Sequence, residues 1–297
     1  MVRTESSRKG VLLGVGAYVL WGVLPLYLWL LREVPALQVL AHRVVWSLLL
    51  LGVVVVAARR IAPLRAAATP RTLAMLAASA ALIAVNWFVY IWAVQHGHVL
   101  DASLGYFINP LVNVALGVML LGERLRRVQA VAVAIAAGGV ALAASGSAAL
   151  WISLVLATSF GLYGLIRKVV AIDALGGLTV ETLILSPLCL AVLLQAQATG
   201  AGVFGRDTRI DILLVVAGAV TAAPLLMFAA AARKLRYSTM GLLQYIAPSL
   251  QFAQAVLVFG EHLTPQRLIV FVLIWAGCAL YAWDSVRATR ITPAVYS

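Results

Sequence analysis

The chain has 297 residues, of which 64% are hydrophobic and only 11% are charged. A water-soluble domain is nearer half apolar and a quarter charged, so this composition excludes an ordinary soluble enzyme. At ~20 residues per membrane-spanning helix, the apolar residues suffice for about nine or ten spans joined by short loops. The net charge of +12 is better explained by basic loops beside an anionic membrane surface than by a nucleic-acid partner.

Apolar runs bounded by charged residues, glycine or proline predict ten transmembrane helices. The predicted ranges are 10–31, 36–58, 72–94, 100–121, 128–145, 148–166, 176–196, 211–232, 238–259 and 266–284. The predicted fold class is therefore an all-α membrane protein. Both cysteines lie in apolar runs without a metal-ligand spacing, and no nucleotide-binding motif occurs, so we expect neither a metal nor a cofactor.

The distribution of Lys and Arg predicts the orientation of these helices. Both termini and the loops on their side of the membrane hold most of the cations. The loops on the other side hold only Arg32, Arg206, Arg209 and Arg267. Because cytoplasmic loops carry the excess of Lys and Arg, we expect both termini in the cytoplasm, with 1–9 and 286–297 as tails.

The second half of the chain repeats the first. A shift of 138 residues aligns Pro110, followed twelve residues on by Gly-Glu-x-Leu, with Pro248 and a second Gly-Glu-x-Leu. A shift of 139 extends the match to the first spans of the two halves. Residues 10–146 and 148–285 are therefore predicted to be two five-helix repeats. Since five is odd, the second repeat is inverted in the membrane, which is typical of secondary transporters, although a duplicated scaffold without transport is the alternative.

Several longer motifs are shared with a known family. They lie at 18–25, 42–47, 163–168 and 244–248, and the most specific, 102–124, begins Ala-Ser-Leu-Gly-Tyr-Phe-Ile-Asn-Pro and ends Leu-Gly-Glu-Arg. With these motifs the chain resembles, over about 7–285, the RarD branch of the EamA family in the drug/metabolite transporter (DMT) superfamily. The resemblance implies a ten-helix inner-membrane permease of two EamA units and a loose association with chloramphenicol sensitivity. It implies no particular substrate.

Ionisable residues inside a span cost roughly 2.5–3.5 kcal/mol at a helix centre, so each is a candidate functional residue. The clear examples are His42, Arg43 and Glu181. His42 and Glu181 are the candidates for proton coupling, since both can titrate within the membrane.

Arg43 and Glu181 are not expected to pair directly. Each lies about six residues into its span, but the spans enter from opposite sides, which separates the two charges by ~12 Å along the membrane normal. We expect local gating pairs instead, Arg43 with Asp101 at one end and Glu181 with Arg167 or Arg236 at the other. The alternative is that the basic residues of the second span only anchor that helix.

Polar and aromatic side chains deep in the spans are predicted to line a solute cavity. Tyr106, Asn109 and Asn113 share one helix face. An amide in hydrocarbon must find a partner or line a wet cavity, although amides that merely tie helices together are the alternative. The candidate cavity residues are Tyr18, Trp21, Asn86, Trp87, Tyr90, Tyr106, Asn109, Asn113, Tyr163, Gln244, Tyr245 and Gln251, with Pro110 and Pro248 as helix breaks.

The sequence therefore predicts a secondary transporter, not an enzyme, that moves a small organic metabolite or drug by alternating access. Its expected partners are the solute, the lipid bilayer and, as a candidate coupling ion, the proton. The alternative function is that of a membrane enzyme or lipid scramblase that uses His42 and Arg43 on phosphate-bearing lipid. The transporter requires a central polar cavity, whereas the alternative requires a lateral opening toward His42.

Overall fold

The computed structural model is all-helical over the residues that it describes, which are 2–122, 124–144, 149–232, 234–235 and 243–291. Within these ranges, nine helices are long and apolar enough to cross a membrane, and one further apolar helix, Ile246–Leu257, is shorter. The prediction of an all-α, multi-pass membrane protein is confirmed.

The helices follow the predicted spans closely. The first half of the chain forms α1 (Val2–Gly22), α2 (Leu24–Leu30), α3 (Ala36–Ala57), α4 (Ile61–Ala67), α5 (Pro70–Gln95), α6 (Val99–Leu121) and α7 (Arg127–Ala144). The second half forms α8 (Leu150–Val169), α9 (Ala174–Ala198), α10 (Thr208–Ala232), α11 (Ile246–Leu257) and α12 (Pro265–Ile291).

Three differences from the prediction have local causes. The first predicted span is divided into α1 and α2 at Val23, and Pro25 occupies the first turn of α2, where its missing N–H costs little. The short helix α4, without buried residues, lies in the arginine-rich connection between α3 and α5. The ninth predicted span is represented by the twelve residues of α11, while positions 238–242 lie outside the described residues.

Side chains at the helix ends explain where two of the long helices begin. The Thr72 N–H donates to Thr69 Oγ1 at 3.2 Å, and Pro70 follows as the first residue of α5. The Gly176 N–H donates to Asp173 Oδ1 at 2.8 Å at the start of α9. Both are N-caps, which satisfy N–H groups that an α-helix leaves unpaired.

The bundle has two chemically different ends. The basic end carries the loops 58–69 and 170–173, where Arg60 forms an ion pair with Asp173. The opposite end carries the loops 31–35, 96–98 and 199–207. There, Gln95 Nε2 donates to the carbonyls of Leu31 and Val34 at 3.0 and 2.9 Å. Helices α3 and α9 are antiparallel neighbours, because Arg60 after α3 meets Asp173 before α9 at the basic end, and Gln38 Nε2 of α3 donates to the Ala201 carbonyl after α9, at 3.0 Å, at the opposite end.

The helix pairings repeat when the two halves are exchanged. Helix α1 packs against α10 and α11, and its counterpart α8 packs against α5 and α6. The pairs α3 with α9, α6 with α11 and α7 with α12 each join counterparts to one another. These are the pairings that an arrangement of two equivalent five-helix units would produce.

Close helix contacts occur at glycines, and some of them are related to one another by the same sequence shift. A Cβ added to Gly22 would lie 2.6 Å from Leu250 Cδ1, and one added to Gly161 would lie 2.7 Å from Val112 Cγ1. The sequence shifts of 139 and 138 map the first contact onto the second. Small residues let helix backbones approach closely, and such packing is a main source of helix association in lipid.

The α7–α12 contact shows the exchange most clearly. Gly139 on α7 faces Ile274, and Gly277 on α12 faces Ala136. Shifting either contact by 138 residues gives the other. Where α6 meets the start of α11, the rings of Phe107 and Tyr245 are nearly parallel, with centroids 6.3 Å apart. The shift of 138 residues maps these two positions onto each other.

We predict that Gly277→Ala destabilises the protein by about 1–3 kcal/mol through overpacking. The new Cβ would lie 2.6 Å from the Ala132 carbonyl oxygen and 2.7 Å from Ala136 Cβ. Gly138→Ala is the matched control, because a Cβ there meets no atom within 4 Å and alanine favours the helix. Thermal unfolding in detergent measures both variants. Equal stability of the two would contradict the close α7–α12 packing.

Candidate functional site

Arg43 lies inside the bundle, where α3, α5 and α10 meet, and only 3% of its surface is exposed. Its Nε donates to Thr221 Oγ1 at 3.0 Å, and its Cζ lies 5.1 Å from the centroid of the Trp87 ring. Its Nη1 is buried and has no hydrogen-bond partner in the described part of the chain. The guanidinium therefore contacts one neutral acceptor and one aromatic face, and the N–H groups of its Nη1 are unpaired within the described ranges.

The predicted pair of Arg43 with Asp101 is wrong. Asp101 lies in the first turn of α6, where its Oδ2 is 3.2 Å from His98 Nδ1 and 3.6 Å from Arg267 Nη2. The prediction compared the depths of the two residues in the membrane and ignored their lateral positions. Helix α3 packs against α9 and α10, whereas α6 packs against α8 and α11.

Glu181 is fully buried on α9 and is held by groups from α5 and α8. Ser79 Oγ donates to Oε1 at 2.5 Å, and the Tyr163 hydroxyl donates to Oε2 at 3.3 Å. Arg167 Nη1 lies 3.8 Å from Oε1, so the expected Glu181–Arg167 pair is present, whereas Arg236 lies outside the described residues. That this pair acts as a gate stays a prediction.

Arg43 and Glu181 belong to two separate clusters. Each is the eighth residue of its helix, ~10 Å from the helix start, and α3 and α9 run in opposite directions. The ion pairs found among the described residues do not join the two charges, as expected. His42, beside Arg43, is buried, and its ring stacks on Phe204 with centroids 5.1 Å apart.

Asn86 ties three helices together. Its Nδ2 donates to the Leu156 carbonyl and to Ser159 Oγ, both at 3.0 Å, and its Oδ1 accepts from the Tyr106 hydroxyl at 3.3 Å. It is 1% exposed. These contacts match the alternative interpretation, in which the amide joins α5, α6 and α8, and leave it no role as a cavity-facing group in this conformation.

The predicted polar face of α6 has an uneven environment. Tyr106 is half-buried, Asn109 is buried and Asn113 is exposed. Asn109 Oδ1 is buried without a hydrogen-bond partner among the described residues, as is Gln251 Oε1 on α11. Gln251 Nε2 donates to the Trp21 carbonyl at 3.1 Å. These two unpaired oxygens are buried amide acceptors that a ligand could pair with.

Five aromatic members of the predicted set fall into two groups, each of which includes a phenylalanine from outside that set. Tyr18 and Trp21 of α1 pack with Phe228 of α10, with centroids 5.5–6.0 Å apart. A second group, on α5, α6 and α8, contains Tyr90, Tyr106, Phe160 and Tyr163. Gln244 and Tyr245 directly precede α11 and are half-buried.

The two predicted helix breaks differ. Helix α6 continues through Pro110, from Val99 to Leu121, so this prediction of a break is wrong. The proline still removes the N–H that would bond the Tyr106 carbonyl, four residues earlier. Pro248 is the third residue of α11, in the first turn, where proline fits a helix start.

Glu261 is a structural residue that sequence reasoning missed. Its Oε1 accepts from the Val99 N–H at 2.6 Å and its Oε2 from the Leu100 N–H at 3.0 Å, so it caps the start of α6 from the loop before α12. Burial raises the pKa of the Glu261 carboxyl above its ordinary value, against the opposing effect of the Leu100 and Val99 N–H groups. The repeated Gly-Glu-x-Leu motif was the sequence signal that could have indicated this role. Its Gly260 has a left-handed φ of +66°, which turns the chain before Glu261.

A cavity of about 190 Å³ lies at the basic end, away from the predicted solute site. Its walls are the end of α3, the helix α4 and the start of α9, and they include Val55, Arg60, Leu64 and Gly176. Over the described ranges, no group of three or more His, Cys, Asp and Glu side chains is placed to hold a metal ion.

Comparison with known proteins identifies the family. The chain is 47% identical over 98% of its length to an uncharacterized transporter of Pseudomonas aeruginosa, 98% of which is covered. It is 43% identical to Protein RarD of Escherichia coli K12, with 97% of this chain and 98% of that protein covered. The EamA-like transporter family matches residues 8–145. The chain belongs to this family.

Other relatives and one solved structure agree with the assignment. The Chloramphenicol-sensitive protein RarD of Pseudomonas aeruginosa is 40% identical, with 96% of this chain and 97% of that protein covered. These relatives place the chain with the RarD members of the EamA-like family, in the DMT superfamily. A crystal structure has a TM-score of 0.59 at 19% identity, covering 93% of this chain and 98% of its own, which shows a shared fold.

We predict that Glu261→Ala destabilises this EamA-like protein by about 1–2 kcal/mol, as expected for loss of a helix N-cap. Glu261→Gln retains one acceptor oxygen and is expected to lose less. Thermal unfolding at pH 7 measures both variants. If the alanine variant matched the wild type, the capping interaction would not support α6.

The pH dependence provides a second readout. Because the folded pKa of Glu261 is raised, the folded protein binds this proton more tightly than the unfolded chain does. Stability should therefore fall as pH rises from the ordinary pKa of a glutamate through the raised one. Glu261→Gln should lack this component of the pH profile, and an unchanged profile would contradict the assignment.

Proposed function

We propose that the protein is a secondary transporter that moves a small organic solute across the inner membrane by alternating access between two inverted repeats, 10–146 and 148–285. Membership of the EamA-like transporter family supports the transport function. The observation that carries the mechanism is the set of helix contacts that are exchanged by the sequence shift, such as Gly22 with Leu250 and Gly161 with Val112.

Equivalent contacts supply a physical basis for alternating access. In a protein of two inverted halves, exchanging the conformations of the halves converts an opening at one end into an opening at the other. Each half here contributes the same kinds of helix pair. The two conformations can therefore be built from the same contacts, at similar free energy.

The two ends are not chemically identical, so opening one end breaks different contacts from opening the other. At the end opposite the basic loops, His98, Asp101 and Arg267 form a charged cluster. The sequence shift maps Asp101 to Thr239 and Arg267 to Gln129. We infer that closure of this end uses an ion pair without a sequence-equivalent at the basic end, where Arg60 and Asp173 form a different pair.

The buried amide oxygens of Asn109 and Gln251 support a solute site between α6 and α11, since both lack partners among the described residues. The excess of Lys and Arg in the loops of the basic end supports cytoplasmic termini. Glu181 and His42 are the proposed sites for a coupling proton, because each is a buried titratable group within a span.

The structure does not favour the alternative of a lipid enzyme or scramblase. That function requires His42 and Arg43 to be reachable from the lipid, and they are 6% and 3% exposed. His42 stacks on Phe204 of the loop 199–207, and Arg43 donates to Thr221 inside the bundle. The matching family and the Pseudomonas aeruginosa relative at 47% identity are also named as transporters.

The transport function predicts solute flux that depends on opening the end at Asp101. Full-length protein in proteoliposomes is offered amino acids, related metabolites and chloramphenicol, with and without a pH gradient. In a background with both cysteines replaced by alanine, Asp101→Cys with Arg267→Cys is oxidised to link α6 to α12. Flux should fall to the level of protein-free liposomes and return upon reduction.

The controls are the two single-cysteine variants, which should be insensitive to the oxidant. Undiminished flux through the linked protein would contradict alternating access. The absence of flux for every solute in the unoxidised protein would contradict the transport function itself.

A further inference from the structure

No carboxylate among the described residues balances the positive charge of Arg43. Over the residues that the structure describes, its contacts are Thr221 Oγ1 and the face of Trp87. Thr221 Oγ1 itself donates to the Ala217 carbonyl at 2.8 Å, so it is a neutral acceptor. A buried charge is costly unless it is paired and fully hydrogen-bonded, so this site lacks an anion.

The groups around Arg43 supply donors and few acceptors. The side chains of Tyr27, Tyr90 and Tyr106 interact electrostatically with its guanidinium. Tyr27 donates to the Leu213 carbonyl at 2.5 Å, and Tyr106 donates to Asn86 at 3.3 Å. The Tyr90 hydroxyl, on a residue 2% exposed, has no hydrogen-bond partner in the described ranges.

Within the described residues, Arg43 Nη1 and the Tyr90 hydroxyl are therefore unpaired donors of adjoining side chains, because Tyr90 lies one helical turn from Trp87, whose ring faces the guanidinium. A ligand that satisfies both must present acceptor oxygens. Two buried carboxylates of the spans are engaged elsewhere. Glu181 accepts from Ser79 and Tyr163, and Asp101 pairs with His98 and Arg267.

We propose that Arg43 and Tyr90 bind a carboxylate group of the transported solute. This inference rests on the proposed transport function and names its substrate class, an organic monocarboxylate. A guanidinium matches a carboxylate with two parallel hydrogen bonds. One arginine balances one negative charge, whereas a phosphate ester carries roughly −1.5 to −2 at neutral pH and would leave charge unpaired.

The walls of the site indicate the rest of the solute. The Trp87 ring lies over the guanidinium, and the rings of Tyr90 and Tyr106 pack on each other with centroids 5.6 Å apart. Aromatic faces pack well against apolar or aromatic groups. An aromatic monocarboxylate combines the charge and the surface that these residues complement.

The test measures binding to purified full-length protein by the rise in unfolding temperature. The probes are benzoate and phenylacetate, their uncharged amides benzamide and phenylacetamide, phenyl phosphate and inorganic phosphate. The carboxylates should stabilise the wild type, and the amides and phosphates should do so weakly or not at all.

Arg43→Gln should weaken carboxylate binding by about tenfold or more, the effect of losing a charge-assisted hydrogen bond. Arg43→Lys keeps the charge without the planar fork and should give an intermediate loss. Tyr90→Phe removes only a hydroxyl and should weaken binding by a smaller factor. It tests the site even if Arg43→Gln fails to fold. Arg32→Gln is the control, since it removes one exposed positive charge whose contacts are with Glu33 and Trp29 and not with this site.

Equal stabilisation by carboxylates and amides, preferential binding of phenyl phosphate, or undiminished carboxylate binding in Arg43→Lys and Tyr90→Phe would each overturn the inference. Flux of neutral solutes without carboxylate binding would overturn the Arg43 site and leave the transport function standing. Carboxylate binding without flux of any solute would contradict the transport function and leave the Arg43 binding site standing.

Discussion

Helices in lipid gain little from hydrophobic burial, because hydrocarbon solvates apolar side chains as well as another helix does. The bundle depends instead on close backbone approach at glycines and on a few buried hydrogen bonds. Gly277 against Ala136, Gly22 against Leu250 and their shifted counterparts bring the helices together. Asn86 adds an amide that joins three helices. The exchange-related contacts are the physical support for the two proposed repeats.

The buried charges are arranged around this framework in two different ways. Glu181 is held by a serine, a tyrosine and an arginine from neighbouring helices, and can remain in place without a ligand. Arg43 has a hydroxyl and an indole face but no carboxylate among the described residues. A membrane protein retains such a charge at a cost, which a bound anion would offset, and this is why we assign Arg43 to the solute.

Much of the fold could be predicted from the sequence, because helix positions depend on long apolar runs and the repeat is visible at Pro110 and Pro248. The lateral packing could not be predicted. Depth along the membrane normal follows from residue counting, but whether Arg43 meets Asp101 or Thr221 depends on which helices are neighbours. The cap by Glu261 joins loops distant in sequence. The amides of Asn86 and Gln251 look alike in sequence, and only their partners distinguish a helix tie from a candidate ligand group.

The central claim is that the two ends of one bundle open in turn. Distances between paired spin labels test it directly, with one pair on Leu37 and Ala198 at the ends of α3 and α9 and a second on Arg59 and Ala174 at their other ends, all four exposed. On addition of a transported solute, alternating access predicts that one distance lengthens while the other shortens, and that each pair has two populations. Distances that change together, or a single unchanged distance at both ends, would contradict it.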